Sequence, residues 1–355
     1  MDIYVLNSSF AAVGIVSEYR SVIWTLQLYG LGEFQLIVAG TPENIAMIRE
    51  GSMLVRDKDM TGSALKNVML IEKTVISFDA DAGYILTATG RSLKCLLNRR
   101  VIWDQVSVEE EPVASVILTV LDENVINPSD SDREMPGITV ETPTFTTNNV
   151  TLQARGEPVG DWIASLCEEQ ALGWDVVVES GQMVIKLIQG TDRTTSQSEN
   201  PPVVFSAEFD NLISATYTRD TTTYHNAALI GGEGEGTDQR VVGIGGASGM
   251  DRYETYVDGS DVSSNGEIIT LATYLDMLRQ RGEEELAAAG VTEKTEGKID
   301  TTGLYKIGTD FTLGDYVTLI DKRIGLSKDT RLIEIIESED ENGYTVLGNF
   351  SGMEE

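Results

Sequence analysis

Apolar and polar residues alternate along the first quarter of the chain: Ile3/Val5, Val13/Ile15, Val22/Trp24/Leu26, Phe34/Leu36/Val38, Met53/Val55 and Val68/Leu70. A period of two puts one set of side chains on one face, so these stretches predict short, half-buried antiparallel strands. Tyr29-Gly30-Leu31-Gly32 supplies the turn between the Trp24 and Phe34 strands. Thr41-Pro42-Glu43 opens a short helix carrying Ile45 and Ile48, with threonine as N-cap and proline at the first helical position. Asp79 to Gly83 begins like a calcium loop but lacks the later ligands, including the glutamate at position twelve, and reads as a β-turn. Tyr84 to Thr89 is a further strand. Gly90-Arg91-Ser92 leads into a helix with Leu93, Leu96 and Leu97 on one face, ended by Arg99 and Arg100, where cations suit the C-terminal dipole.

The period changes after Trp103. Pro112 starts a helix whose Val113, Val116, Ile117, Val120 and Leu121 form an i, i+3, i+4 stripe, a core face. Gly156-Glu157-Pro158 starts a second, with Val159, Trp162, Ile163 and Leu166 inward, and Trp174–Val178 and Met183–Ile188 make a hairpin around Glu179-Ser180-Gly181-Gln182. A polar stretch from Gly190 to Pro202 reads as a linker. Strand character resumes at Val203-Val204-Phe205, Leu212–Tyr217 and Ala227–Ile230. Thr270 caps a helix from Leu271 to Ala289 with Leu271, Tyr274, Leu275 and Leu278 inward and Gly290 as C-cap. Strands at Lys298–Asp300, Tyr316–Ile320, Arg331–Glu337 and Tyr344–Phe350 follow, with Asn342-Gly343 as a hairpin turn and the chain stopping just past the last strand. The expected class is α+β, mainly β, in three parts: a β domain over 1–103, an inserted α+β domain over 104–200, and a β-rich domain over 201–355 holding the late helix. An alternative boundary assigns part of 201–245 to the first β domain.

Composition narrows the function. At 355 residues the chain exceeds one ordinary core. Its formal net charge of −31 argues against binding nucleic acid by counterion release, and equally against an anionic membrane surface. The first residues lack a basic leader, and no apolar run approaches membrane-spanning length. The two cysteines, Cys95 and Cys167, indicate neither a disulfide framework nor a four-ligand zinc site, and fit synthesis in a reducing cytoplasm. A thiol nucleophile paired with the single histidine, His225, could only be Cys95 or Cys167, both on the apolar side of short helices. No metal, cofactor or catalytic set is expected. The acidic runs Glu283–Glu285 and Glu337–Glu341 read as solvated faces.

The densest glycine stretch, Leu229 to Gly249, follows an apolar run, where a phosphate-cradling loop would sit. Arg240-Val241-Val242-Gly243-Ile244-Gly245 cannot open the helix that a dinucleotide site needs, and no Gly-Lys-Ser/Thr closes a Walker loop. A glycine-rich hairpin is the expectation.

Seven segments, in order, resemble one family. They are Ile23-Trp24-Thr25 with Tyr29-Gly30-Leu31-Gly32-Glu33-Phe34; Gly90-Arg91-Ser92-Leu93 with Leu97-Asn98-Arg99-Arg100; Gly190-Thr191-Asp192-Arg193-Thr194; and Val204-Phe205-Ser206 with Phe209-Asp210-Asn211-Leu212. Asn226 to Gly236, Leu278-Arg279-Gln280-Arg281-Gly282 and Leu313-Gly314-Asp315-Tyr316-Val317 complete the set. The family is that of phage and prophage tail hub proteins, which includes the N-terminal hub region of siphophage tail-associated lysins and the baseplate hub of contractile phages. The resemblance implies a baseplate-hub-like fold with two β-barrel-like domains. It implies a homotrimeric ring that closes the distal tail tube and opens as a DNA ejection channel. The implied partners are the chain itself, the distal tail protein, the tape measure protein and a receptor-binding protein, with DNA as passing cargo and no membrane. The implied location is the virion tail tip, after synthesis in the host cytoplasm. Gly231, Gly232, Glu233, Gly234, Glu235, Gly236 and Arg240 become the candidate assembly or channel loop. Two rivals compete: a peptidoglycan hydrolase using carboxylates at Glu109–Glu111 or Glu168 and Glu169, and a host-surface binding module presenting the glycine loop with Tyr253 and Tyr256.

Overall fold

In the computed structural model the chain forms two compact units, one made of Met1–Thr216 with Glu296–Glu355, the other of Tyr217–Thr295. Residues 1–352 are described, except Ala82, Glu267, Ile268, Thr301, Thr302 and Ile324. The first unit starts with β1 (Ile3–Leu6), β2 (Ala12–Val16), β3 (Ser21–Gln27), β4 (Glu33–Ala39), α1 (Pro42–Met47) and β5 (Met53–Arg56). Short β6 (Met60–Thr61) and β7 (Ala64–Leu65) precede the long hairpin of β8 (Met69–Asp79) and β9 (Gly83–Ser92). Then come β10 (Val106–Pro112), α2 (Val113–Leu121), β11 (Ile138–Val140), β12 (Asn149–Ala154), α3 (Val159–Glu169), β13 (Gly173–Glu179), β14 (Gln182–Ile188), β15 (Val204–Ser206) and β16 (Leu212–Asp220). The second unit holds β17 (Ala227–Gly231), β18 (Val241–Ile244), β19 (Glu254–Asp258) and α4 (Leu271–Ala288). The chain returns along β20 (Thr292–Ile299) and ends with β21 (Tyr316–Asp321), β22 (Leu326–Asp340) and β23 (Gly343–Gly352).

Local chemistry explains the strand-rich start. The Thr41 hydroxyl accepts the Asn44 N–H, as an N-cap should, and Pro42 opens α1. α1 buries none of its own residues; Ile48, just past its end, reaches the core. At the β8–β9 turn Asp81 N–H donates to the Asp79 carboxylate and Asp79 pairs with Gly83, with Ala82 outside the described residues.

One sheet organises the first unit, in the order β16-β20-β23-β22-β3-β4-β9-β8-β5-β1-β2, with β15 added through β21 onto β22. Its seam is β3 against β22, where Trp24 faces Glu337 and Leu26 faces Ile335. On one side of the seam Ile3, Val5, Trp24, Phe34, Leu36 and Ile71 form a core. On the other, Phe205 packs on Phe311 and Phe350 with ring centroids 5.3 and 5.8 Å apart. Leu26 touches both cores. Two apolar cores thus pack on one continuous sheet, and among the described residues no strand pairing closes it into a barrel.

The α+β stretch builds on the first β region. Its five-stranded sheet runs β11-β14-β13-β7-β6, so two strands come from before residue 66. Leu65, Val68, Leu93 and Leu97 share one core with α2, α3 and Trp174. The expected helix after Ser92 is a 3-10 segment, Leu93–Arg99, with Lys94 buried as deeply as its leucines. Burial pulls the Lys94 ammonium down to about 8, so at neutral pH it keeps three protons. It donates to the carbonyls of Gln27, Leu28 and Gly30, and its nitrogen lies 4.8 Å from the Trp174 ring centroid. The polar stretch read as a linker is packed down: Thr191 N–H and the Arg193 guanidinium bind the Asp315 carboxylate, Thr195 N–H binds Thr318, and Thr194 is buried. Its polarity serves hydrogen bonds to β21 and the loop before it.

In the second unit β17 pairs antiparallel with β18 and parallel with β19, and α4 covers this three-stranded sheet. Tyr274 and Leu278 point inward as expected, whereas Leu271 is 57% exposed because the helix starts beyond the sheet's apolar patch. Ala289, rather than Gly290, is the C-cap.

Candidate assembly surfaces

The glycine stretch is a hairpin, as its composition predicts. Gly231 ends β17, Gly232 N–H donates to the Arg240 carbonyl, and Arg240 N–H donates to the Glu233 carbonyl. Gly234 and Gly236 have φ of +101° and +59°, the left-handed region that glycine adopts without strain. Gly231 and Gly232 serve a different purpose, since both are buried. A Cβ on Gly232 would meet Tyr274 and Leu278 of α4, and one on Gly282 of α4 would meet Ile230 and Ile244. These glycines let helix and sheet approach closely. We expect Gly282→Val to destabilise this unit by about 1–3 kcal/mol through overpacking. Hydrogen exchange should speed up across 217–295 and stay unchanged elsewhere; uniform protection would contradict the close-packing role.

Polar contacts also anchor the loop. The Glu233 carboxylate accepts the Ser264 N–H and the Ser264 and Ser263 hydroxyls, and lies 3.4 Å from Arg240. The Ser264 bonds hold its pKa below the usual carboxylate value. Glu233 N–H donates to the Tyr274 hydroxyl, and the Arg240 guanidinium sits 5.3 Å from the Tyr274 ring centroid. Of the seven candidate residues, Gly234, Glu235 and Gly236 are the exposed tip.

Besides Lys94, two further buried cations that sequence reasoning missed bind the first unit together. Arg56 donates to Asp59 and, at 2.7 Å, to Glu337, with its guanidinium 4.9 Å from the Trp24 ring centroid. Lys58 and the Tyr344 hydroxyl also donate to Glu337. Glu337, read as part of a solvated acidic run, is therefore buried in an ion network at the seam. Arg331 donates to the carbonyls of Gly314 (2.8 Å), Gln189 (2.9 Å) and Ala171, and lies 4.9 Å from the Tyr316 ring centroid. Arg56 falls on the face opposite Met53 and Val55, and because β5 is buried on both faces alternation gave no signal for it.

The groups considered for chemistry are dispersed. Burial raises the Cys95 and Cys167 thiols to about 11 and about 12, so neither is a ready nucleophile. His225 donates its backbone N–H to Ala289 at the start of the second unit. Glu109–Glu111 lie at an irregularity of β10, where Glu110 N–H donates to the Thr151 hydroxyl, while Glu168 and Glu169 end α3; all five are exposed. Among the described residues no group of three or more His, Cys, Asp or Glu side chains is placed to hold a metal ion.

Unpaired apolar surface lies at the sheet margins. The terminal strands β2 and β16 expose Val13, Ile15 and Ile213, and the β8–β9 hairpin exposes Val75, Ile76, Phe78 and Tyr84, with the Phe78 and Tyr84 ring centroids 5.0 Å apart. In the second unit Tyr253 and Tyr256 are likewise exposed, and Tyr253 packs edge-on against Tyr224.

The fold has known counterparts. The 43 kDa tail protein of prophage MuSo2 from Shewanella oneidensis superposes with a TM-score of 0.60 at 13% identity, covering 99% of this chain and 98% of that one. A tail protein from Neisseria meningitidis MC58 gives 0.57 at 14% identity, covering 98% and 95%. Prophage tail protein gp18 from Listeria monocytogenes EGD-e gives 0.51 at 13%, covering 98% and 94%. No curated protein sequence matches the chain. In sequence, residues 2–349 match the Siphovirus ReqiPepy6 Gp37-like protein family, nearly the whole length, and the chain belongs to that family.

Proposed function

We propose that this chain is the hub at the distal end of a phage tail, three copies forming a ring that closes the tube and becomes the DNA channel on ejection. The carrying observation is the family match over residues 2–349, joined to a fold shared end to end with prophage tail proteins. The role is structural and non-enzymatic, in the virion, after synthesis in the host cytoplasm. The open sheet supports assembly: among the described residues β2 and β16 end one strand order at opposite sides, each with exposed apolar residues. Complementary edges of this kind suit a head-to-tail contact, which closes into a ring when the rotation permits. The distal tail protein and the tape measure protein are the neighbours above the ring, a receptor-binding protein the neighbour outside it, and the exposed tip Gly234-Glu235-Gly236 contacts a subunit or faces the channel. With a net charge of −31, an acidic lumen would repel the phosphates of passing DNA and let the duplex slide. Among the described residues no helix is long and apolar enough to cross a membrane.

Light scattering of the purified chain, alone and with the distal tail protein of the same phage, tests the ring. A trimer in either sample is expected; a stable monomer that ignores that partner would overturn the reading. A reconstruction of the assembled tip should show an acidic lumen, and a basic one would remove the sliding argument.

A further inference from the structure

Between the turn after α3, the end of β14 and the segment before β12 lies an open cleft of about 560 Å³ in the first unit, within the range that holds small ligands. Its lining is unusual in being mostly neutral and polar. The side chains of Asn148, Gln170 and Gln189 line it, and among the described residues none of the three forms a side-chain hydrogen bond or ion pair. Asn200 is steadied by its Nδ2 donating to the Asp192 carbonyl, and Phe145 and Tyr316 add two aromatic rings.

We propose that this cleft binds a neutral, hydroxyl-rich saccharide. Each carboxamide offers a donor and an acceptor side by side, which matches a hydroxyl group that must both give and take a hydrogen bond. Aromatic rings supply apolar faces for the C–H surface of a sugar ring. The alternatives fit less well. No lysine or arginine lines the cleft, and Asp192 and Glu199 do, so phosphate and carboxylate ligands are repelled. A peptide adding itself as a strand needs a free edge, yet Tyr316 already donates its N–H to Thr191 and accepts from Arg193.

The cleft is also preorganised. Arg331, from beneath, holds the carbonyls of Ala171 and Gln189 on two walls and stacks by the Tyr316 ring. The walls are therefore set before a ligand arrives, which saves the ordering cost of binding. The site makes no use of the ring and is independent of the hub reading.

The test uses the full chain and a panel of neutral oligosaccharides: cellotetraose, maltotetraose, N-acetylchitotetraose, and galactose and rhamnose trimers. Calorimetry and saturation-transfer NMR should find at least one that binds with a millimolar or tighter dissociation constant. Asn148→Ala and Gln189→Ala should each weaken it about tenfold, with the melting temperature unchanged because both side chains are exposed and unbonded. Failure of every sugar to bind at high millimolar concentration would overturn the proposal. So would binding that both variants retain in full, or a tail-protein peptide found to occupy the cleft.

Discussion

Replacing Arg56 with alanine is expected to lower unfolding free energy by about 3–5 kcal/mol, the range seen when one partner of a buried ion pair is removed. The guanidinium is almost wholly buried and faces two carboxylates, Asp59 and Glu337, that are buried with it. Without it, Glu337 keeps Lys58 and Tyr344, but among the described residues the Asp59 carboxylate keeps only the Asn67 amide. Trp24 loses its stacked cation as well. A drop in the urea midpoint read by tryptophan fluorescence would measure the effect, and a change under 1 kcal/mol (about the worth of an exposed pair) would show the network to be dispensable. The double change Arg56→Met with Glu337→Leu should recover part of the loss, since no charge is then stranded at the seam. The network also gives the seam an acid limit. Burial alone would raise the Glu337 pKa, but the charges of Arg56 and Lys58 and the bonds from Lys58 and Tyr344 outweigh it and hold the group below the usual carboxylate value. A depressed carboxylate contributes stability that is full above its unfolded pKa and is lost as pH falls through the folded one. The urea midpoint should therefore decline as pH falls below the ordinary glutamate range.

Arg331→Leu is expected to be nearly as damaging, by about 3 kcal/mol or more. The reason is different: three carbonyls, on Gly314, Ala171 and Gln189, lose their donor, and each buried unsatisfied group costs about 1–3 kcal/mol. Partial hydration of the exposed walls reduces the sum. Arg331→Lys should rescue little, because a single ammonium cannot span acceptors that a planar fork reaches from several sides. Chemical denaturation of the two variants decides it, and a lysine variant as stable as the parent would remove the clamp from the account.

Much of the fold was legible because its signals are local. Alternation at Val22/Trp24/Leu26 and Phe34/Leu36/Val38, the Thr41-Pro42 cap and the Glu179–Gln182 turn each depend on residues within one turn or strand, and each is found as read. The parallel packing of β17 beside β19 and the union of β3 with β22 depend on partners far along the chain, and no short-range pattern announces them. Polarity misled twice for one reason. The stretch from Gly190 to Pro202 and the acids from Glu337 look solvated, yet Thr194 and Glu337 are buried because β21, Arg56 and Lys58 supply partners that sequence cannot display. The glycine stretch was legible as a hairpin, but its division into packing glycines and an exposed tip required α4 to be in place.

The β3–β22 seam bears on the order of events during synthesis. β3 leaves the ribosome early with one edge paired to β4 and the other vacant until β22, near the far end of the chain, has been made. Contacts so distant in sequence form slowly, and in the interval the vacant edge of β3 is a template for any passing strand. Crowded translation should therefore select for chaperone cover of the nascent chain. It also means that a chain released before β22 lacks its seam, so premature termination gives a product that cannot take up the architecture described above.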